Sequence, residues 1–200
     1  MNAPLSPQHL DALTEIVNIG VGRAANVLNE MVGSPIQLKV PSVKVVDPAG
    51  ILDELRSHIG LRAACVNMPF QGSLTGLASM VFPPESAVKL VSLLTGEEIT
   101  GVEMDSLMVE TLNEISNIVI NSVIGQISNM MRQKIYYSIP TFHGGKVEDI
   151  LTHSLYKNGR IIIANAEFQV KAHNIQGNIM LVFEIASFES LISAIASEIQ

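Results

Sequence analysis

Residues Gly76-Leu-Ala-Ser-Met-Val-Phe82 return 101 positions later as Gly177-Asn-Ile-Met-Leu-Val-Phe183, with glycine, valine and phenylalanine in the same places. The same shift carries Leu90-Val91-Ser92 onto Leu191-Ile192-Ser193. Each seven-residue stretch is apolar and opened by glycine, so it reads as a buried strand. The match is an internal two-fold repeat, too short for a solenoid, which needs three or more copies. The 200 residues therefore read as one domain, 1–200, with internal repeats at about 7–95 and 105–200.

Outward from those strands, the first copy opens on Ser6-Pro7, a serine cap with proline at the first helical position. A long amphipathic helix is expected from about Pro7 to Met31, stopped by Gly33 and Pro35. Ile36 to Val46 alternates and is β-branched, a strand crossed by Pro41. A short helix near Ile51 to His58, strands near Leu61 to Met68 and Leu74 to Phe82, and a helix over Pro84 to Leu94 complete the copy. After an acidic connector, Asp105 or Ser106 caps a second long helix reaching about Gln133. Strands near Ile135 to Pro140, Arg160 to Val170 and Gly177 to Ile185 and a helix over Phe188 to Ile199 follow. Both copies read helix, three strands, helix. The expected fold is α+β: an internally duplicated pseudo-two-fold unit, with a mixed β-sheet and two long helices packed on it.

Composition narrows the function. Twelve basic against nineteen acidic residues give −7, which argues against binding a phosphate backbone or an anionic membrane surface. Charged residues are 16% against a usual ~25%, beside 48% hydrophobic. The longest apolar run, Ile179 to Phe183, is far too short to span a bilayer, so the low charge implies a large core plus an uncharged surface patch. The single cysteine, Cys65, lies in an apolar stretch and reads as a buried thiol. The N-terminus shows neither a basic region nor an apolar core of signal-peptide kind, and a cytoplasmic setting is expected.

The two long helices carry the same polar set, Asp11, Glu15 and Asn18 in the first and Glu110, Glu114 and Asn117 in the second, 99 positions apart. Spacing i, i+4, i+7 confines each set to an arc of about 60°. Gly22 extends the first stripe and Asn121 the second. The opposite faces are apolar: Leu10, Leu13, Val17, Ala24 and Leu28 against Val109, Leu112, Val119, Val123 and Ile127. A solvated face explains one such stripe. It does not explain asparagine placed mid-helix twice, since asparagine prefers caps. Nor does it explain two glutamates without a cation one turn ahead, where Asn18 and Ile19, Asn117 and Ile118 stand.

An exposed carboxylate and an amide one turn apart make neither a strong nucleophile nor a tuned base. An amide can hold water through its carbonyl and NH₂ and aim it at phosphorus, and phosphoryl transfer needs mainly positioning and charge neutralisation. A carboxylate can pair with a partner's lysine and set the docking register. Such a surface completes an active centre that lies on another protein.

The spacing Asp/Ser-x3-Glu-x2-Asn-x22-Pro resembles the signature of the CheC phosphatases of bacterial and archaeal chemotaxis. Asn18 to Pro41 and Asn117 to Pro140 both leave 22 intervening residues, and Asn18-Ile-Gly-Val-Gly-Arg-Ala-Ala25 is similar to the family's continuation. The resemblance covers nearly the whole chain; the related CheX proteins carry one intact motif, so two copies favour CheC. It implies hydrolysis of the aspartyl-phosphate of the response regulator CheY. Asn18 and Asn117 would orient the attacking water, Glu15 and Glu114 would engage the regulator's lysine, and Asp11, Glu110, Pro41, Pro140, Gly22 and Asn121 would support the site or the partner contact. No cofactor of its own is implied, since the Mg²⁺ would sit in the regulator's acidic pocket. The receptor deamidase CheD is a further partner of the family. Glu110 departs from the pattern's Asp or Ser but keeps the charge. The competing expectation is a non-catalytic scaffold of the flagellar-switch FliM/FliY type, against which two intact pairs argue.

Other signals are weaker. Gly20-x-Gly22-x-x-Ala25 lies inside a helix, not at a strand-to-helix turn, so it is no dinucleotide fingerprint. His143-Gly144-Gly145-Lys146 is followed by Val147 and reads as a turn. The histidines His9, His58, His143, His153 and His173 show no metal-ligand spacing.

Overall fold

A computed structural model describes residues 6–33, 35–99, 105–151, 159–170 and 173–199. In chain order the first half runs α1 (Pro7–Val32), β1 (Ile36–Val46), α2 (Ile51–Ile59), β2 (Arg62–Gly72), β3 (Gly76–Phe82) and α3 (Pro84–Thr95). The second runs α4 (Ser106–Met131), β4 (Ile135–Tyr137), β5 (Thr141–Lys146), α5 (Val147–Ile150), β6 (Arg160–Val170), β7 (His173–Phe183) and α6 (Ile185–Ile199). Part of the connector between the halves lies outside the described residues.

Local chemistry sets the ends of the long helices. The Ser6 hydroxyl accepts from the His9 N–H at 3.3 Å, and Gly33 closes α1 at φ 64°, where a side chain would be strained. Asp105 caps α4 by accepting from the Met108 N–H at 2.8 Å. Arg132 takes the left-handed closing position at φ 54°, which ends α4 two residues before the expected Gln133.

The strands form one seven-stranded sheet in the order β1-β6-β7-β3-β2-β4, with β5 also on β2. The α+β class stands, but the expected mixed sheet is antiparallel at every pairing among the described residues. Its central pairs β2–β3 and β6–β7 are hairpins, and short connections permit only antiparallel neighbours. At the centre β3 meets β7, and Ser79 lies opposite Met180, its own counterpart at the 101-residue shift. The pseudo-two-fold therefore passes through that pair. Outward, the halves exchange strands: β1 of the first pairs with β6 of the second, and β5 of the second pairs with β2 of the first.

Both faces of the sheet are covered. Ala78, Met80, Phe82, Ile179, Leu181 and Phe183 point into a large core under α1, α3, α4 and α6. Leu77, Val81, Met180 and Val182 point the other way, against Ile51 and Leu55 of α2 and Val147 and Ile150 of α5. Every residue of β3 is consequently buried. At about 1.5–3 kcal/mol per fully buried large side chain, the two-sided sheet is the main stabilising element and accounts for the apolar composition.

Two expectations about the second half are corrected. The strand expected over Ile135 to Pro140 is two elements: β4 ends at Tyr137, the chain breaks over 138–140, and β5 resumes at Thr141. The segment His143-Gly144-Gly145-Lys146 is not a turn but most of β5, with Gly144 opposite Ala64 and Gly145 opposite Ala63. Side-chain patterning could not announce a strand with two adjacent glycines; backbone pairing alone specifies it.

Candidate functional site

Helices α1 and α4 pack against each other and lie together on one face of the sheet. Their approach is close at Gly20, where a Cβ would stand 2.6 Å from the Val123 Cα. Leu13, Val17, Ala24 and Leu28 of α1 and Leu112, Val119, Val123 and Ile127 of α4 are buried as expected, while Leu10 and Val109 in the first turns are half-buried. The polar stripes consequently face outward. Asp11, Glu15, Gly22, Glu110 and Glu114 are exposed, and Asn18, Asn117 and Asn121 are half-buried.

Among the described residues neither Glu15 nor Glu114 has an ion-pair partner. The basic groups that are paired lie elsewhere: Lys44 with Glu54 at 2.7 Å, Arg56 with Glu148, and Arg160 with Asp47. The Arg56 guanidinium, by hydrogen bonding, holds the Glu148 carboxyl below its ordinary range. These pairs join α2, α5 and the strand ends, away from the two motif glutamates.

The Asn18 amide is fixed by a contact that no sequence pattern announced. Its Oδ1 accepts from the Val40 N–H at 3.1 Å, and its Nδ2 donates to the Val40 carbonyl at 3.2 Å. Val40 is available because of its neighbour. The β1–β6 register shifts between Lys39 and Ser42, leaving Val40 and Pro41 together opposite Ala166. Pro41 has no N–H to give to a ladder, so a bulge forms there, and the asparagine takes up both polar groups of the bulged residue. In the first copy the 22-residue interval to proline thus has a structural meaning: it places the strand irregularity that orients the amide. A primary amide has two N–H donors and two acceptor positions, so one of each remains on Asn18. The Val40 N–H also determines which end of the amide is oxygen.

The second site is built differently. Its counterpart of Val40 is Ile139, which is 84% exposed in the break between β4 and β5. The Asn117 Oδ1 instead accepts from the Asn121 Nδ2 at 2.8 Å, one turn along the same helix. The first helix has Gly22 at that place, where an added Cβ would meet nothing within 4 Å. Tyr137, half-exposed on β4, brings its hydroxyl toward Gly125 on α4, and burial pushes its phenol above the ordinary range. Pro140, half-buried, closes the interrupted segment directly after Ile139, as Pro41 follows Val40.

The remaining candidates do not join the site. Among the described residues no group of three or more His, Cys, Asp or Glu is placed to hold a metal ion, and His153 lies outside them. Cys65 is buried, its Sγ donating to Asn67 Oδ1 at 3.2 Å, and desolvation pushes the thiol well above its ordinary range. The Gly20-x-Gly22-x-x-Ala25 segment lies within α1 and not at a strand-to-helix turn, so it forms no dinucleotide loop. A cavity of about 930 Å³ lined by Leu61, Arg62, Glu85, Phe142 and Gly144 contains none of the motif residues. No described helix is long and apolar enough to cross a membrane.

Comparison with known proteins places this arrangement in context. The family model of the chemotaxis phosphatase CheX matches residues 64–164, and that of the CheC-like family matches residues 9–45. The chain is 21% identical over 207 residues to the CheY-P phosphatase CheC of Bacillus subtilis, covering 98% of this chain and 97% of that protein. Among solved structures it is similar to Thermotoga maritima FliY, with a TM-score of 0.79, 18% identity and coverage of 98% and 99%. The middle domain of Helicobacter pylori FliM matches with a TM-score of 0.70, 13% identity and coverage of 95% and 99%. CheX in a complex with CheY, BeF3 and Mg from Borrelia burgdorferi matches with a TM-score of 0.56, 16% identity and coverage of 86% and 99%.

Proposed function

This chain belongs to the CheC/CheX/FliY superfamily of chemotaxis proteins, and on that premise we propose that it hydrolyses the aspartyl-phosphate of a CheY-type response regulator. The observation that carries the proposal is the outward-facing Glu15–Asn18 pair with its amide held by Val40. The free acceptor position of Asn18 accepts a hydrogen bond from the attacking water, and its free N–H orients the water or the docked backbone; the water's proton leaves with the released phosphate or to solvent. Water attacks phosphorus as the bond to the aspartyl oxygen breaks, which returns the regulator's carboxylate and releases phosphate. Glu15 pairs with a lysine of the regulator and holds the in-line geometry. Glu114 and Asn117 repeat these roles on α4, with Asp11 and Glu110 adding negative potential one turn before. The Mg²⁺ of the reaction belongs to the regulator, and no donor set in this chain is asked to hold it. A CheY-type partner is supported by the complex solved for CheX of Borrelia burgdorferi.

The test is phosphate release from a phosphorylated CheY-type regulator by the wild type, Asn18→Ala, Asn117→Ala and the double variant. By analogy with loss of one preorganised polar group, the double variant should lose about a hundredfold or more of the turnover. Full activity in the double variant overturns the proposal.

Similarity to the FliM middle domain favours a second reading, a scaffold in a flagellar assembly. It makes the opposite prediction: stable binding to flagellar partners, with regulator dephosphorylation unchanged by the chain.

A further inference from the structure

The two motifs are alike in sequence but not in how their asparagines are held. Asn18 is clamped by two backbone bonds from outside its helix, to Val40. Asn117 is held from within its own helix, by the Asn121 amide at 2.8 Å. Position by position, Thr14, Asn18 and Gly22 on α1 are replaced on α4 by Asn113, Asn117 and Asn121, three asparagines spaced four apart on one face. Thr14 is occupied with its own helix, donating to the Leu10 carbonyl at 2.8 Å, and Gly22 has no side chain. The flanking asparagines of α4 differ: Asn113 Oδ1 and Asn121 Oδ1 are both shut off from solvent without a hydrogen-bond partner. Where the strand is interrupted at 138–140 and Ile139 is exposed, no strand backbone among the described residues bonds to the Asn117 amide.

We infer that Asn121 is the positioning residue of the second site, standing in for the bulged strand that orients the first. The donor it supplies selects one face of the Asn117 amide, directing Oδ1 along the helix and leaving the Asn117 N–H groups and one acceptor position to water and partner. The two sites therefore differ in their support and can be disabled separately by residues that touch neither water nor phosphate. Asn121→Asp keeps the shape but removes the donor, so it tests the bond without opening a cavity. This inference rests on the phosphatase reading, and the readouts separate the two.

In the Asn18→Ala background, where the second site works alone, Asn121→Ala and Asn121→Asp should each lower kcat about tenfold, the effect of one lost orienting hydrogen bond, with KM changed less than about twofold. The same substitutions should cost at least about fivefold less in the Asn117→Ala background, where the first site works alone. Independently of turnover, the ¹⁵N order parameter of the Asn117 side-chain amide should fall in Asn121→Ala, while that of Asn18 holds; in Asn121→Asp the carboxylate accepts from a turned Asn117 N–H, so that variant is read by kcat. A loss carried by KM, an equal loss in both backgrounds, or an undiminished Asn117 order parameter in Asn121→Ala would overturn the role given to Asn121. Absence of phosphate release by the wild type would overturn the phosphatase reading itself, and with it any catalytic sense of the positioning.

Discussion

At the scale of single residues, the informative contact is the bidentate clasp of Asn18 on Val40. An amide can satisfy both groups of one backbone residue because it carries donor and acceptor together. Aspartate is the same shape with acceptors only. Asn18→Asp should keep the bond from the Val40 N–H but set a carboxylate oxygen against the Val40 carbonyl. The expected cost is about 1–3 kcal/mol of stability, read from the denaturant midpoint, with loss of first-site turnover in the Asn117→Ala background. The shared outward face was legible in the sequence because spacing alone puts Asp11, Glu15 and Asn18 together and repeats the set 99 positions later. The clasp was not legible. Its partner is backbone, which leaves no residue-type signal, and the bulge that frees it shows in the sequence only as Pro41 inside a strand.

Among elements, the α1–α4 contact depends on two glycines with opposite roles. A Cβ on Gly20 would strike the Val123 Cα at 2.6 Å, whereas one on Gly22 would meet open space. Gly20→Ala should therefore push the helices apart and cost about 1–3 kcal/mol. Gly22→Ala should stabilise α1 by about 0.5–1 kcal/mol, since glycine is a poor residue in a helix interior. Thermal unfolding of the two variants checks both signs. The long helices were readable from their caps and period; their boundaries differ from expectation by a residue or two, where Arg132 adopts the left-handed closing position. Strand β5 was not readable, because two of its six residues are glycine and show no alternation.

For the whole molecule, the duplication was visible in the matched strands, but the exchange of β1 and β5 between halves was not. Hydrophobic pattern says which strands are buried; it does not say which neighbour completes a sheet when both halves offer the same edge. Each half alone would leave β2 or β6 with an unpaired edge and expose one face of the shared core. The segments 1–99 and 105–200, expressed separately, should lack the cooperative thermal transition of the full chain in circular dichroism, and mixing them should restore it. The chain thereby divides its obligations unevenly. A deletion in either half removes strands on which the other half's strands pair, while a substitution on either polar stripe leaves the sheet intact. Selection for folding binds the halves jointly, whereas the two exposed helix faces are free to change separately. A lineage that keeps this strand exchange is consequently free to lose one motif by drift, or to put that helix face to another use, without first rebuilding its core.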